Sequence, residues 1–127
     1  MKLKSELANS FLEMLMTVKV YHWWTHSYAE HRATDELYGK LNKYIDKFIE
    51  VMLGKTGSRL NMKNKKIIFT NPSTKKEFIK TINEYKLLLR NKMDIYIDIV
   101  KDTDLLNIRD EILGNLNQFL YLLTFDK

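Results

Sequence analysis

Apolar residues recur every three or four positions along most of the chain, and very little interrupts them. One proline and four glycines in 127 residues are too few for the turns of a many-stranded sheet, so long amphipathic helices are the expected product. Phe11, Leu15, Val18 and His22, flanked by Ala8, Leu12 and Met16, predict a first helix from about Ser5 to Thr25. Leu37, Leu41, Ile45, Phe48 and Met52 predict a second from about Ala29 to Leu53, with Gly54 as its stop. Phe78, Ile82, Tyr85, Leu89 and Met93 belong to a third, started by Ser73 or Thr74 with Glu77 completing a capping box, and ending near Val100. "KDTD" reads as a tight connection, after which Thr103 or Asp104 caps a fourth helix carrying Leu105, Ile108, Ile112, Leu116, Leu120 and Leu123.

The clear interruption is "GKTGSRLNMKNKKIIFTNPSTKK", a basic loop between the second and third helices, with "KKIIFT" as a strand-like or docking segment inside it. Two short links and one long one predict an all-α, up-down four-helix bundle with one crossover, in a single domain over residues 1–127. The absence of cysteine excludes disulfides and thiolate metal sites and suggests a reducing, cytoplasmic compartment. No apolar run is long enough to span a membrane, and the polar start "MKLKSELANS" does not resemble a signal peptide. The formal charge of +5 permits attraction to nucleic acid but is a modest excess for that class.

All three histidines fall within His22–His31. On the second helix His31 and Asp35 are four apart, as are Asp46 and Glu50, and Asp35 precedes Asp46 by eleven residues, close to three whole turns. These four residues therefore share a face, and imidazole with carboxylate suits zinc, manganese or non-haem iron. Each residue also has a plainer reading. A charged helix face is usually solvated, as Asn42, Lys43, Asp46 and Lys47 would allow, and a histidine ending an apolar stripe is often a hydrogen-bonded core residue. In an antiparallel hairpin His22 faces His31 and Asp35, whereas Asp46 lies roughly 16 Å further along. One chain cannot close all five on one centre. A two-fold dimer with antiparallel second helices would join His22, His31 and Asp35 of one copy to Asp46 and Glu50 of the other, forming two such sites.

The segment "YHWWTHSYAEHRATDELYGKLNKYIDKFIEVMLG" resembles the metal-site segment of Dps-like mini-ferritins. That family has His-Trp at the end of its first helix, a second histidine, an aspartate four residues on, and Asp-x-x-x-Glu eleven further. Here these correspond to His22-Trp23, His31, Asp35, Asp46 and Glu50. The resemblance implies a ferritin-like bundle and a di-iron ferroxidase centre across a dimer interface. In such a centre the five residues bind and oxidise Fe(II) with peroxide or dioxygen, for iron detoxification or storage and oxidative protection. It also implies a homo-oligomer, from a dimer up to a dodecameric cage, with DNA protected indirectly.

The chain departs from the family in several ways. The link from His22 to His31 is shorter, so His26 is a further candidate ligand. The family's small helix between the second and third bundle helices gives way to the loop 54–74, and the long lysine-rich N-terminal tail of some members is absent. The compactness is shared with small viral and phage relatives of the ferritin-like group, for which host cytoplasm or virion would be the location. Trp23, beside the site, is a packing residue or a radical quencher. The rival function is a non-catalytic interaction module, in which Lys55, Arg59, Lys63, Lys65, Lys66, Lys75, Lys76 and Lys80 contact nucleic-acid phosphates or a protein partner. A third reading is a structural dimer without iron turnover.

Overall fold

The structure, a computed structural model, describes residues 2–68 and 71–125. Four α-helices account for most of it: α1 (Lys2–Trp24), α2 (Tyr28–Thr56), α3 (Lys75–Asn91) and α4 (Thr103–Leu122). A 3₁₀ turn at Met93–Ile95 follows α3, and the described residues form no strand, so "KKIIFT" has no regular secondary structure as far as Ile68, while Phe69 and Thr70 lie outside the described residues.

The apolar stripes explain the packing. Leu37, Leu41, Ile45, Phe48 and Met52 of α2 are all buried, and α2 is covered by α1 on one side and α4 on the other. Phe11 meets Phe48 edge-on at 5.2 Å across the α1–α2 contact. Phe78 of α3 stacks on Tyr21 of α1 at 3.8 Å and meets Phe119 of α4 edge-on at 5.8 Å. Phe119 fills the core position expected for Leu120, which is half-buried. Tyr85 is also half-buried, and its hydroxyl spans the groove to Thr17 at 2.8 Å.

Contacts at the helix ends set the directions. Lys75, at the start of α3, pairs with Glu30 near the start of α2 at 3.4 Å and donates to the Leu123 carbonyl after α4 at 2.7 Å. At the other end Lys55, late in α2, pairs with Asp102 at 3.0 Å and Asp104 at 2.7 Å. The order is thus up, down, down, up, with α2 and α3 parallel. The crossover climbs beside α1: Asn9 donates to the Lys66 carbonyl at 3.0 Å, and the Ile68 amide reaches Glu13 at 3.4 Å.

Three boundaries differ from expectation. α2 runs through Gly54 and ends at Gly57, whose φ of 67° is left-handed and whose N–H closes on the Leu53 carbonyl at 2.8 Å. α3 ends at Asn91 instead of near Val100. Beyond it Asp98 accepts from the Val100 and Lys101 amides at 2.8 and 3.1 Å, and Asp102 accepts from the Asp98 amide at 2.8 Å, so the acids hold a loop that competes with helix. Asp102 occupies the N-cap position of α4, and its side chain bonds back into that loop; neither Thr103 nor Asp104 is the cap.

The start of α3 follows the expected chemistry with a shift of one residue. Thr74 accepts from the Glu77 amide at 3.1 Å, while the Glu77 carboxylate reaches the Ser73 amide and hydroxyl, each at 2.9 Å. Those bonds, the Ser73 amide first, hold Glu77 below its ordinary value. The Lys101 and Val100 amides do the same for Asp98, and Lys55 for Asp104. A carboxylate with a lowered folded-state value favours folding above its unfolded value and loses that contribution as pH falls through the folded one. Acid titration followed by circular dichroism should therefore show helix loss below the ordinary carboxylate range, with a shallower profile in Asp104→Asn. Thr74→Ala should cost about 1 kcal/mol in urea unfolding.

Candidate functional site

The α1–α2 turn is only Thr25–Ser27, so the last turn of α1 and the first turn of α2 are forced together. Ser27 caps α2, its hydroxyl accepting from the Glu30 amide at 3.2 Å. In a capping box the Glu30 carboxylate would return to the Ser27 amide. Here that amide bonds to Thr25 Oγ1 at 3.1 Å, and the carboxylate accepts from the Tyr21 hydroxyl at 2.5 Å and from Thr25 at 3.2 Å. Burial and the Glu30 carboxylate both push the Tyr21 phenol well above its ordinary value, so it remains a donor throughout the working pH range.

One residue along each helix, His22 and His31 stack at 3.8 Å between ring centroids with planes 16° apart. Each Nδ1 bonds to the backbone carbonyl of the other residue, at 2.8 Å from His22 and 2.9 Å from His31. A carbonyl can only accept, so both Nδ1 atoms carry hydrogen. Thr34 Oγ1 lies 2.9 Å from His22 Nδ1 and turns its own hydrogen to the Glu30 or His31 carbonyl. When the rings are neutral, each Nε2 keeps its lone pair, and neither makes a hydrogen bond among the described residues. A backbone carbonyl on the far nitrogen is also the usual support of a metal-ligating histidine.

His22 is 8% exposed and closes the core, whereas His31 is exposed. His31 and Asp35 line an open hollow of about 850 Å³ together with Tyr28, Arg32, Glu36 and Phe125. His26 stands apart on the turn, its ring tilted against Trp24 at 6.1 Å. Trp24 packs on the core, but Trp23 is 69% exposed, with Lys19 5.8 Å above its ring.

Asp46 and Glu50 are exposed further down α2. The Asp46 carboxyl group beside it raises Glu50 above its ordinary value. Two acids one turn apart in this state favour an added cation. Among the described residues no three histidine or acidic side chains gather around one metal position. The five expected donors thus divide into a histidine corner with Asp35 and a separate acid pair.

Sequence reasoning missed Glu30 and Thr34. The Ser27-x-x-Glu30 pattern was a legible signal for the first, although it suggests a capping role in place of the bond to Tyr21. Two residues of the expected basic face are engaged internally: Lys55 and Lys75 make the ion pairs described above.

These features define an all-helical bundle with a reciprocally bonded histidine pair at one corner and an acid pair along the same helix. Residues 22–123 match the family of unknown function DUF5856, and the chain belongs to that family. It is also 30% identical over 127 residues to the "Uncharacterized 14.6 kDa protein in mobD-ri intergenic region" of Enterobacteria phage T4, covering 97% of this chain and 92% of that protein. No solved structure matches. No described helix is long and apolar enough to cross a membrane.

Two outcomes test the corner. Long-range ¹H–¹⁵N spectra above the histidine range should show Nδ1–H tautomers for both His22 and His31, and Nε2–H tautomers would contradict the bonding. Tyr21→Phe should lower stability by about 1.5–3 kcal/mol in urea unfolding, because it removes a buried bond to a carboxylate.

Proposed function

We propose that this protein oxidises Fe(II) in the manner of a ferritin-like, Dps-type ferroxidase, at a site shared between two copies. The observation that carries the reading is the histidine pair: both Nδ1 hydrogens are committed to carbonyls, which leaves both Nε2 lone pairs for a ligand. The donor chemistry fits. Two imidazoles and three carboxylates form a nitrogen–oxygen set suited to Fe(II), with zinc and manganese as alternatives. The parallel α2 and α3 and the crossover between them are compatible with a ferritin-like bundle.

The two groups of donors need a second copy. Asp46 lies eleven residues from Asp35, roughly 16 Å along α2. A two-fold axis across antiparallel α2 helices brings His22, His31 and Asp35 to Asp46 and Glu50 of the other copy, and creates two equivalent sites. The exposed Trp23 is in keeping with a covered face beside them. Iron is the substrate. The imidazoles accept it as neutral ligands, and the carboxylates balance its charge before and after it loses an electron. The carboxylates bind iron in their ionised form, so affinity rises with pH through the raised Glu50 value. Two Fe(II) ions supply the two electrons and protons supply the hydrogen that reduce one peroxide to two waters. Detoxification follows directly, storage requires a cage, and DNA protection is an indirect result of removing iron and peroxide.

Wild type should oxidise Fe(II) with added peroxide faster than buffer, and Asp46→Ala/Glu50→Ala should not. Mixing that variant, after refolding together, with His31→Ala/Asp35→Ala should restore about a quarter of wild-type activity. Half of the dimers are then mixed, and each mixed dimer holds one intact site. Failure of wild type to exceed buffer would reject the ferroxidase reading, and absence of complementation would reject the shared site.

A further inference from the structure

The end of the molecule opposite the histidines holds a cationic cluster outside the proposed iron site. Lys4, in the first turn of α1, is 4% exposed, and its ammonium donates to Thr56 Oγ1 at 3.1 Å and to Ser58 Oγ. A buried ammonium ordinarily requires a carboxylate. At this end of the bundle Asp102 and Asp104 are both taken by Lys55, and among the described residues no carboxylate pairs with Lys4. Its hydrogen-bond partners are hydroxyl groups.

Lys4 also lines an open hollow of about 450 Å³ with Ser58, Arg59, Asn61, Lys63 and Lys65, and no acid contributes to its wall. The loop here is shaped by its own bonds. Gly57 turns the chain out of α2 at a φ of 67°. Asn61 Oδ1 accepts from the Lys63 amide at 3.1 Å, and the Lys65 amide closes on the Met62 carbonyl at 3.1 Å around Asn64, whose φ is 65°. Lys63 and Lys65 are therefore carried on a defined turn beside Lys4.

We propose that this hollow is a phosphate site. A phosphate group offers several anionic acceptors in a small volume, which suits an ammonium, a guanidinium fork and hydroxyl donors together. Lys4 can only donate, so it occupies lone pairs of Thr56 and Ser58. Those two hydroxyls lie 3.2 Å apart; the Thr56 hydroxyl donates to the Leu53 carbonyl at 3.4 Å, and the Ser58 hydroxyl, on the wall of the hollow, can turn its hydrogen from Thr56 to an anion. The site differs from the basic face read from the sequence. It recruits Lys4 from α1, and Lys55 and Lys75 are occupied elsewhere. The phosphate could come free in solution or from a nucleic-acid backbone.

The test uses the full chain at fixed ionic strength. Titration with inorganic phosphate should give saturable amide shifts at Ser58, Arg59, Lys63 and Lys65 in ¹H–¹⁵N spectra, and sodium chloride at the same strength should not. Lys4→Gln and Arg59→Gln should each weaken binding about ten- to hundredfold. Lys63→Gln/Lys65→Gln changes exposed residues alone and should weaken binding while preserving the melting temperature. A short oligothymidylate identifies the source. If it competes with phosphate, and its log–log salt slope falls by about 1.4 in the double variant, the backbone is the ligand. If phosphate binds and the oligonucleotide does not compete, free phosphate is. Equal shifts with chloride, or phosphate binding unchanged in both Arg59→Gln and Lys63→Gln/Lys65→Gln, would overturn the proposal.

Discussion

The corner between α1 and α2 is the constraint on which the other features depend. Its link is so short that Tyr21 and His22 must find partners in the first turn of α2. Glu30 collects the Tyr21 and Thr25 hydroxyls and the Lys75 ammonium, which joins α1, the turn, α2 and α3 at one side chain. A carboxylate with this many donors is well compensated for partial burial. The histidine pair belongs to the same construction: the rings are stacked because each is anchored to the other's backbone. Chemistry and architecture are thus inseparable here, since the bonds that close the corner also select the tautomer.

The far end is built on different physics. Lys55 gathers Asp102 and Asp104, and Arg109 Nη1 donates to the Leu89 carbonyl at 2.8 Å near the end of α3. Charged side chains near helix ends satisfy backbone groups and complement the helix dipoles. Lys4 is the exception, a buried cation provided with hydroxyls. The two ends therefore present opposite characters, with imidazole and carboxylate at one and along the outside of α2, and cations around a hollow at the other.

Much of the core was legible because the apolar period is set by helix geometry alone. All five residues of the α2 stripe are buried, as are Phe11, Leu15, Val18 and His22 of α1. Thr74 was legible as a cap because its hydroxyl acts within one turn. The α3 boundary was not legible. Ile97 continues the helical stripe, yet Asp98 and Asp102 capture the amides a longer helix would have used, and that competition depends on two acids meeting across a loop. Phe119 in place of Leu120 is a rotation of α4 decided by what α3 presents, namely Phe78.

The sequence by itself determined the helical class, the number of helices, the long basic crossover, and the common face of His31, Asp35, Asp46 and Glu50, because each follows from spacing along one helix or from residue types that act locally. Tertiary structure decided which nitrogens of His22 and His31 are free, that Glu30 serves Tyr21, and that Lys4 joins Ser58 and Arg59 across more than fifty residues of chain. Those outcomes depend on where two distant segments are held relative to each other. No local rule carries that information, because the bonds form only after hydrophobic burial has fixed the helices side by side.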